Sequence, residues 1–395
     1  MKMGSCIKIL FLVGFFLFLL LTVKALAADF PSFNEEKILW EDHFSRVSDV
    51  TVKGSGFKPY NRWAWFYGQR IDESGFVPQG VRWQAYLEMQ RMIAENGTQT
   101  GPVWTHLGPA NIAGRCQPIA IDPQDHNRIL LGSASGGLWQ SLNAGASWEP
   151  VDDQLPSLAV GVILFDENNP NVVYIGTGEG NNSADAVFGV GVMISHDGGL
   201  SWEILGSGLD WSIGDGKAVN ALSMNSADGV LLAATTAGIY RFENDVWSQT
   251  LVGKATALVR HPSSTNIFYC ALGYPFGNAA NGVYKSIDSG QTWVELVNGF
   301  PVTHGRVGLA ICESVPQILY AGVSKTDGTT LGICKTTDGG DSWNLVYNSG
   351  NHYGLQGFYN LVIAVDPANP NLVYSGGIDV WRSLNGGISF SQVSR

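Results

Sequence analysis

The sequence predicts an all-β protein, a β-propeller of four-stranded blades with a small N-terminal helical cap, and three observations predict it. A short pattern recurs six times: SLNAGASW at 141–148, SHDGGLSW at 195–202, SIDSGQTW at 286–293, TTDGGDSW at 336–343, SLNGGISF at 383–390, and a degraded copy, RFENDVWS, at 241–248. Ahead of the copies lie β-rich runs joined by an Asp-Pro or Asn-rich turn, as in LVIAVDPANPNLVYSGG from residue 361. Composition supplies the third observation: 49 glycines and 13 tryptophans with only 14% charged residues suit short strands joined by tight turns. The unit is strand A, turn, strand B, loop, strand C, turn, strand D, which is one propeller blade.

From the N-terminus, Lys2 and Lys8 precede an apolar run from Ile9 to about Val23, followed by Ala25 and Ala27. This is the pattern of a secretory signal peptide over 1–27; an uncleaved membrane anchor is the alternative, although the run is short for a spanning helix. No other segment has the character of a membrane span, so the mature chain is expected to be secreted or held at the cell surface. Cleavage removes three lysines and no acid, taking the net charge from −11 to −14, which argues against nonspecific nucleic-acid binding. Residues 28–100 form an aromatic-rich segment with one amphipathic helix: VRWQAYLEMQRMIAENG at 81–97 brings Trp83, Tyr86, Leu87 and Met92 to nearly one face before Gly97 stops it. The propeller follows over 101–395, where GPVWTHLGP at 101–109 reads as a strand D without its turn, placed to close the ring on the last blade. Beyond the signal, Cys116, Cys270, Cys312 and Cys334 read as buried free thiols rather than a disulfide scaffold.

Each recurrent turn is read as structural. At the corner between strands C and D, Asp197, Asp288 and Asp338 accept backbone N–H groups, a following glycine takes positive φ, and the tryptophan packs over the turn. Asn143 and Asn385 stand where other copies have aspartate, keeping the acceptor but not the charge that a catalytic carboxylate needs.

These stretches resemble the Asp-box (BNR) repeats of sialidases, of xyloglucan-active propeller hydrolases and of sortilin-type propellers. LGPANIAGR at 107–115 and GSASGGLWQSLNAGASW at 132–148 are similar to the opening blade of large exported bacterial propellers of the sortilin-like group. The resemblance spans about 101–395 and implies the fold more than the activity, because the superfamily mixes hydrolases with binding proteins. Where the xyloglucan-active hydrolases carry a catalytic aspartate, this chain has Ser133, Ala134 and Ser135, and a sialidase-type arginine triad is not evident.

In such a blade the A–B and C–D turns share one face and the D–A and B–C loops the other, so a ligand is expected at loops 176–189, 207–217, 273–282, 299–306 and 348–359. Counting eight residues back from the proline of each Asp-Pro turn or its equivalent selects Arg115, Ala159, Lys217, Lys254, Arg306 and Tyr359. The four cations are expected to form a rim that contacts an anionic group of the ligand; the alternative is that each pairs with a loop carboxylate or caps carbonyls between blades. Trp211, His304, His352 and Tyr359 are expected to add stacking and hydrogen-bonding surface. Glu179, Asp185, Asp215 and Asp327 are the loop acids available for glycosidase chemistry, which needs two facing carboxylates. No HExxH or CxxC spacing points to a metal, no nucleophile elbow occurs, and no cofactor is expected. The reading is a binding propeller for an extracellular peptide, protein or polysaccharide, with a glycoside hydrolase of the BNR group as the alternative.

Overall fold

A computed structural model describes residues 32–47, 49–52, 55–78, 81–96, 114–152, 154–181, 186–209, 217–225 and 229–394. Six four-stranded antiparallel sheets succeed one another, each built in chain order from A to D. Blade 1 contains β1 (Cys116–Ile121), β2 (Ile129–Ser133), β3 (Leu138–Ser141) and β4 (Glu149–Asp152), and blade 2 contains β5 (Val160–Phe165), β6 (Val173–Thr177), β7 (Val192–Ser195) and β8 (Glu203–Ile204). Blade 3 runs from β9 (Val219–Asn225) through β10 (Val230–Thr235) and β11 (Gly238–Glu243) to β12 (Val246–Val252). Blade 4 comprises β13 (Ala255–Arg260), β14 (Phe268–Leu272), β15 (Gly282–Ser286) and β16 (Val294–Glu295); blade 5 comprises β17 (Val307–Ile311), β18 (Leu319–Ser324), β19 (Thr330–Thr336) and β20 (Asn344–Tyr347). Blade 6 has β21 (Val362–Val365), β22 (Val373–Gly376), β23 (Val380–Ser383) and β24 (Ser391–Gln392), so SFSQ near the end of the sequence is its own strand D. First strands of consecutive blades lie against one another, which places them around the axis of a β-propeller.

Five of the recurrent turns share one network. In SHDGGLSW, Asp197 Oδ1 accepts from the Ser201 amide (2.9 Å) and from Ser195 Oγ (2.8 Å), while Ser201 Oγ donates to Oδ2 (2.5 Å). Ser195 Oγ also receives the Gly199 amide at 2.7 Å. These bonds hold the Asp197 carboxyl well below the usual carboxylate range. Thr292 and Ser342 repeat the contacts around Asp288 and Asp338, and in the asparagine copies Nδ2 of Asn143 and Asn385 donates to Ser147 and Ser389 instead. The residue after each Asp or Asn donates its amide to the neighbouring A–B turn, as Gly198 does to Asn171 O (2.8 Å), so both turns occupy one face. RFENDVWS differs: Asn244 and Asp245, both at positive φ, make a two-residue hairpin between β11 and β12, without the Ser/Thr–Asp/Asn side-chain network of the other five.

In five of the six patterns the aromatic residue packs toward the preceding blade. Trp202 belongs to the core between blades 1 and 2, Trp247 to that between 2 and 3, Trp293 lies against 3–4, Trp343 joins 4–5, and Phe390 lies against 5–6. Among the described residues no sixth cluster joins blade 6 to blade 1. There Ile119 (63% exposed) and Ile121 of β1, and Val362 (60% exposed) of β21, remain open on the sheet faces opposite their packed neighbours.

The chain divides into two compact units, 1–78 and 79–395. The first contains α1 (Phe33–Ser45) and α2 (Phe57–Gly68), two helices beyond the single one that periodicity predicts. A Ser32–Glu35 capping box starts α1, and Phe44 packs with Tyr60 at 5.2 Å. In the second unit α3 (Val81–Asn96) lays Trp83 against the blade 1–2 core, with Tyr86 stacked on it at 5.0 Å. Leu87 and Met92, expected on the same face, are exposed. No described helix is long and apolar enough to cross a membrane. Segments 1–31 and 101–109, carrying the signal-peptide and ring-closing expectations, lie outside the described residues. Cys270, Cys312 and Cys334 are buried free thiols, with β18 between the strands of the last two; Cys116 is free but exposed, because it starts β1 at the open end of the strand.

Candidate functional site at the loop-side channel mouth

The residue one or two positions before most first strands is fixed by a backbone bond to the loop that follows strand B. Ala134 N donates to Arg115 O (3.0 Å), Gly178 N to Ala159 O (2.8 Å), Gly273 N to Lys254 O (2.8 Å) and Ser324 N to Arg306 O (3.0 Å). This shared geometry carries the register counted from sequence into one place, the loop-side mouth of the channel.

A clasp anchored on blade 2 crosses that mouth. The Glu179 carboxylate is fully buried; it receives Arg115 Nη2 at 3.1 Å, Gln117 Nε2 at 3.2 Å and Tyr359 Oη at 2.7 Å, linking the first strand of blade 1 and the entry to blade 6. Two residues on, Asn181 Oδ1 accepts Arg306 Nη1 from the start of blade 5 at 2.7 Å. The same Nη1 reaches Phe358 O (3.3 Å) and Tyr359 O (2.8 Å). Burial lowers the Arg306 guanidinium to about 10, and burial together with the adjacent Arg306 charge lowers Lys254 to about 8. Arg115, 40% exposed, also lies over the Tyr359 ring at 5.9 Å. At the opposite mouth Arg260 of blade 4 pairs with Glu167 of blade 2 at 3.0 Å.

The structure therefore brings Arg115, Lys254, Arg306, Glu179 and Tyr359 together. Arg115 already has a carboxylate partner, which is the alternative expected for each cation. Lys217 is half-buried before β9, its carbonyl accepting from Gly189 N. Trp211, Asp185 and Asp215 lie outside the described residues. His304 and His352 do not supply ligand-facing surface, and this corrects the expectation for both. His304 is buried with Nδ1 3.0 Å from Gly305 O and its ring edge-on to Phe300, and burial lowers its pKa. His352 is sandwiched between Tyr347 (4.9 Å) and Trp381 (4.8 Å), and burial lowers it to about 4. Asp327 is a turn residue whose Oδ1 accepts from Thr329 N and Oγ1. Ser133 turns its Oγ onto Arg115 O, to which it donates, and accepts the Gly136 amide.

One surface was not foreseen. Beside the clasp, Phe276 is 59% exposed and stacks on Phe358 at 6.4 Å, with Tyr274 edge-on at 5.9 Å. Buried Asn281 fixes this loop, accepting from Tyr274 N and donating to Tyr274 O and His304 O. The signal was present in GYPFGNAANG, whose aromatics sit between turn residues in a loop already assigned to this face. Among the described residues no cluster of three or more His, Cys, Asp or Glu is arranged to hold a metal.

No family model matches the chain. A xyloglucanase of Hypocrea jecorina is 26% identical over 157 residues, 36% of this chain and 18% of that protein. A probable oligoxyloglucan-reducing end-specific xyloglucanase of Neosartorya fischeri is 22% identical over 328 residues, 69% of this chain and 38% of that protein. Among solved structures, the GH74 xyloglucanase from Xanthomonas campestris aligns with a TM-score of 0.54 at 18% identity, covering 71% of this chain and 45% of that one. An ancestral GH74 enzyme aligns at 0.55 and 20% identity, covering 75% and 40%. The chain thus spans less than half the length of these relatives, and the structural likeness is one of fold.

Proposed function

We propose that the chain is a glycoside-hydrolase-like propeller that acts on an extracellular polysaccharide at its loop-side mouth. The observation that carries this reading is that the chain aligns in sequence with a probable oligoxyloglucan-reducing end-specific xyloglucanase across 69% of its length. The exposed Tyr274 and Phe276 rings, backed by the part-buried Phe358, support it, because the apolar face of a pyranose stacks on such a platform. Export by the N-terminal segment and the Asp-box identity of the turns belong to the same reading. A second reading, polysaccharide binding without hydrolysis, is favoured by one feature: Glu179, the described carboxylate at the mouth, is already held by three donors. The test incubates purified protein with xyloglucan, mixed-linkage glucan and acidic polysaccharides, following reducing-end release and retardation in gels containing each polymer. Release supports the hydrolase, retardation without release the binding form, and neither response overturns the proposal.

A further inference from the structure

Arg306 has no carboxylate partner among the described residues, although it lies at the mouth beside Lys254, Tyr359 and the Glu179 clasp. Its side-chain bonds all leave Nη1 and end on neutral acceptors, Asn181 Oδ1 and the Phe358 and Tyr359 carbonyls. Nε and Nη2 make no hydrogen bond among the described residues. A part-buried guanidinium without a counter-charge is costly, and its open Nε–Nη2 edge matches the two oxygens of a carboxylate. From these contacts we infer that Arg306 and the aromatic platform form a subsite for a carboxylate-bearing sugar, so that the polysaccharide engaged here contains uronic acid.

The inference rests on the polysaccharide reading above and narrows it. Phe358 joins the two halves of the subsite: its ring stacks on Phe276 while its carbonyl accepts Arg306 Nη1. A uronate presents C–H groups on its ring face and a carboxylate at its edge, and so meets both halves. A neutral sugar would meet the rings alone. Lys254 lies close enough for its charge to feel that of Arg306, so an anion held by Arg306 meets a second positive charge.

The test measures binding of the full chain to neutral xyloglucan, to polygalacturonate and glucuronoxylan, and to dextran sulfate, each at two salt concentrations. The expected result is binding to the uronate polymers about tenfold tighter than to xyloglucan, weakening with salt, and reduced about tenfold or more by R306M. R306K should lose part of the affinity, because it keeps the charge without the fork. F276A should weaken uronate and neutral polymers alike. If R306M does not fold, K254M carries the test, and unchanged uronate affinity in K254M overturns the inference. Equal or tighter binding of xyloglucan overturns the inference and leaves the polysaccharide reading standing. Equal binding of dextran sulfate overturns the carboxylate assignment. Binding of none of these polymers overturns both the inference and the reading beneath it.

Discussion

Replacing Glu179 with alanine tests whether the clasp holds the blades or serves chemistry. Its carboxylate is buried and receives three donors, from Arg115, Gln117 and Tyr359, at 3.1, 3.2 and 2.7 Å. Hydrogen bonds to a charged group contribute about 1.5–3 kcal/mol each, but Arg115 is partly exposed and regains water when released. The sum is therefore capped near the cost of breaking a buried pair, about 3–5 kcal/mol. At roughly 2–4 °C per kcal/mol for a large domain, Tm should fall by roughly 6–20 °C. Y359F removes one donor and should cost about 1.5–3 kcal/mol. Thermal and urea unfolding followed by tryptophan fluorescence give both values. An E179A protein that melts within about 2 °C of the parent would refute the clasp. Polysaccharide hydrolysis abolished in E179Q at unchanged Tm would instead make Glu179 a catalytic acid.

Three further outcomes follow from the blades. Ala144 sits at φ 56° where three other copies of the turn have glycine, so A144G should stabilise by about 0.5–1 kcal/mol, read as a raised urea midpoint. His352 has a folded pKa of about 4, below the unfolded value near 6.5, so the unfolded chain binds the extra proton between those limits. The stability due to its neutral, stacked ring is complete above about pH 6.5 and falls by about 2–3 kcal/mol on acidification to pH 4; H352F should flatten the pH profile, and an identical profile would count against the assignment. W202A should cost about 3–5 kcal/mol because Trp202 fills the blade 1–2 core, whereas W148A, at the blade lacking a preceding cluster, should cost about 1 kcal/mol; equal losses in paired melts would contradict the packing scheme.

The blades were legible because a four-stranded repeat fixes its own register: the turn residues, the closing aromatic and the residue at the mouth recur at set offsets. Counting from the Asp-Pro turn was enough to assemble Arg115, Lys254, Arg306 and Tyr359. The Ser or Thr two before and four after each turn Asp or Asn was also visible in all five intact copies, yet its role emerges only from the bonds Ser195 and Ser201 make to Asp197. Glu179 was a candidate acid, but its partners lie 64 and 180 residues away, and such pairings carry no local signal. His352 looked like a loop residue in NSGNHYG; the Tyr347 and Trp381 rings that bury it come from strands on either side. The first helix had a readable start in Ser32–Glu35, while blade 3 replaced the expected acid turn with an Asn-Asp hairpin whose positive φ values that dipeptide tolerates.

Among the described residues six blades are joined by five apolar cores. Within that set blades 2 to 5 each pack through two cores, whereas blades 1 and 6 each pack through one. In an array with nearest-neighbour coupling the terminal members open first. Glu179 ties the two end blades to blade 2, accepting from Arg115 on one side and Tyr359 on the other. The end blades and the mouth where a ligand would bind thus meet in one place, and occupancy of the mouth bears on the fraying of the first and last blades before it is felt in the middle of the array.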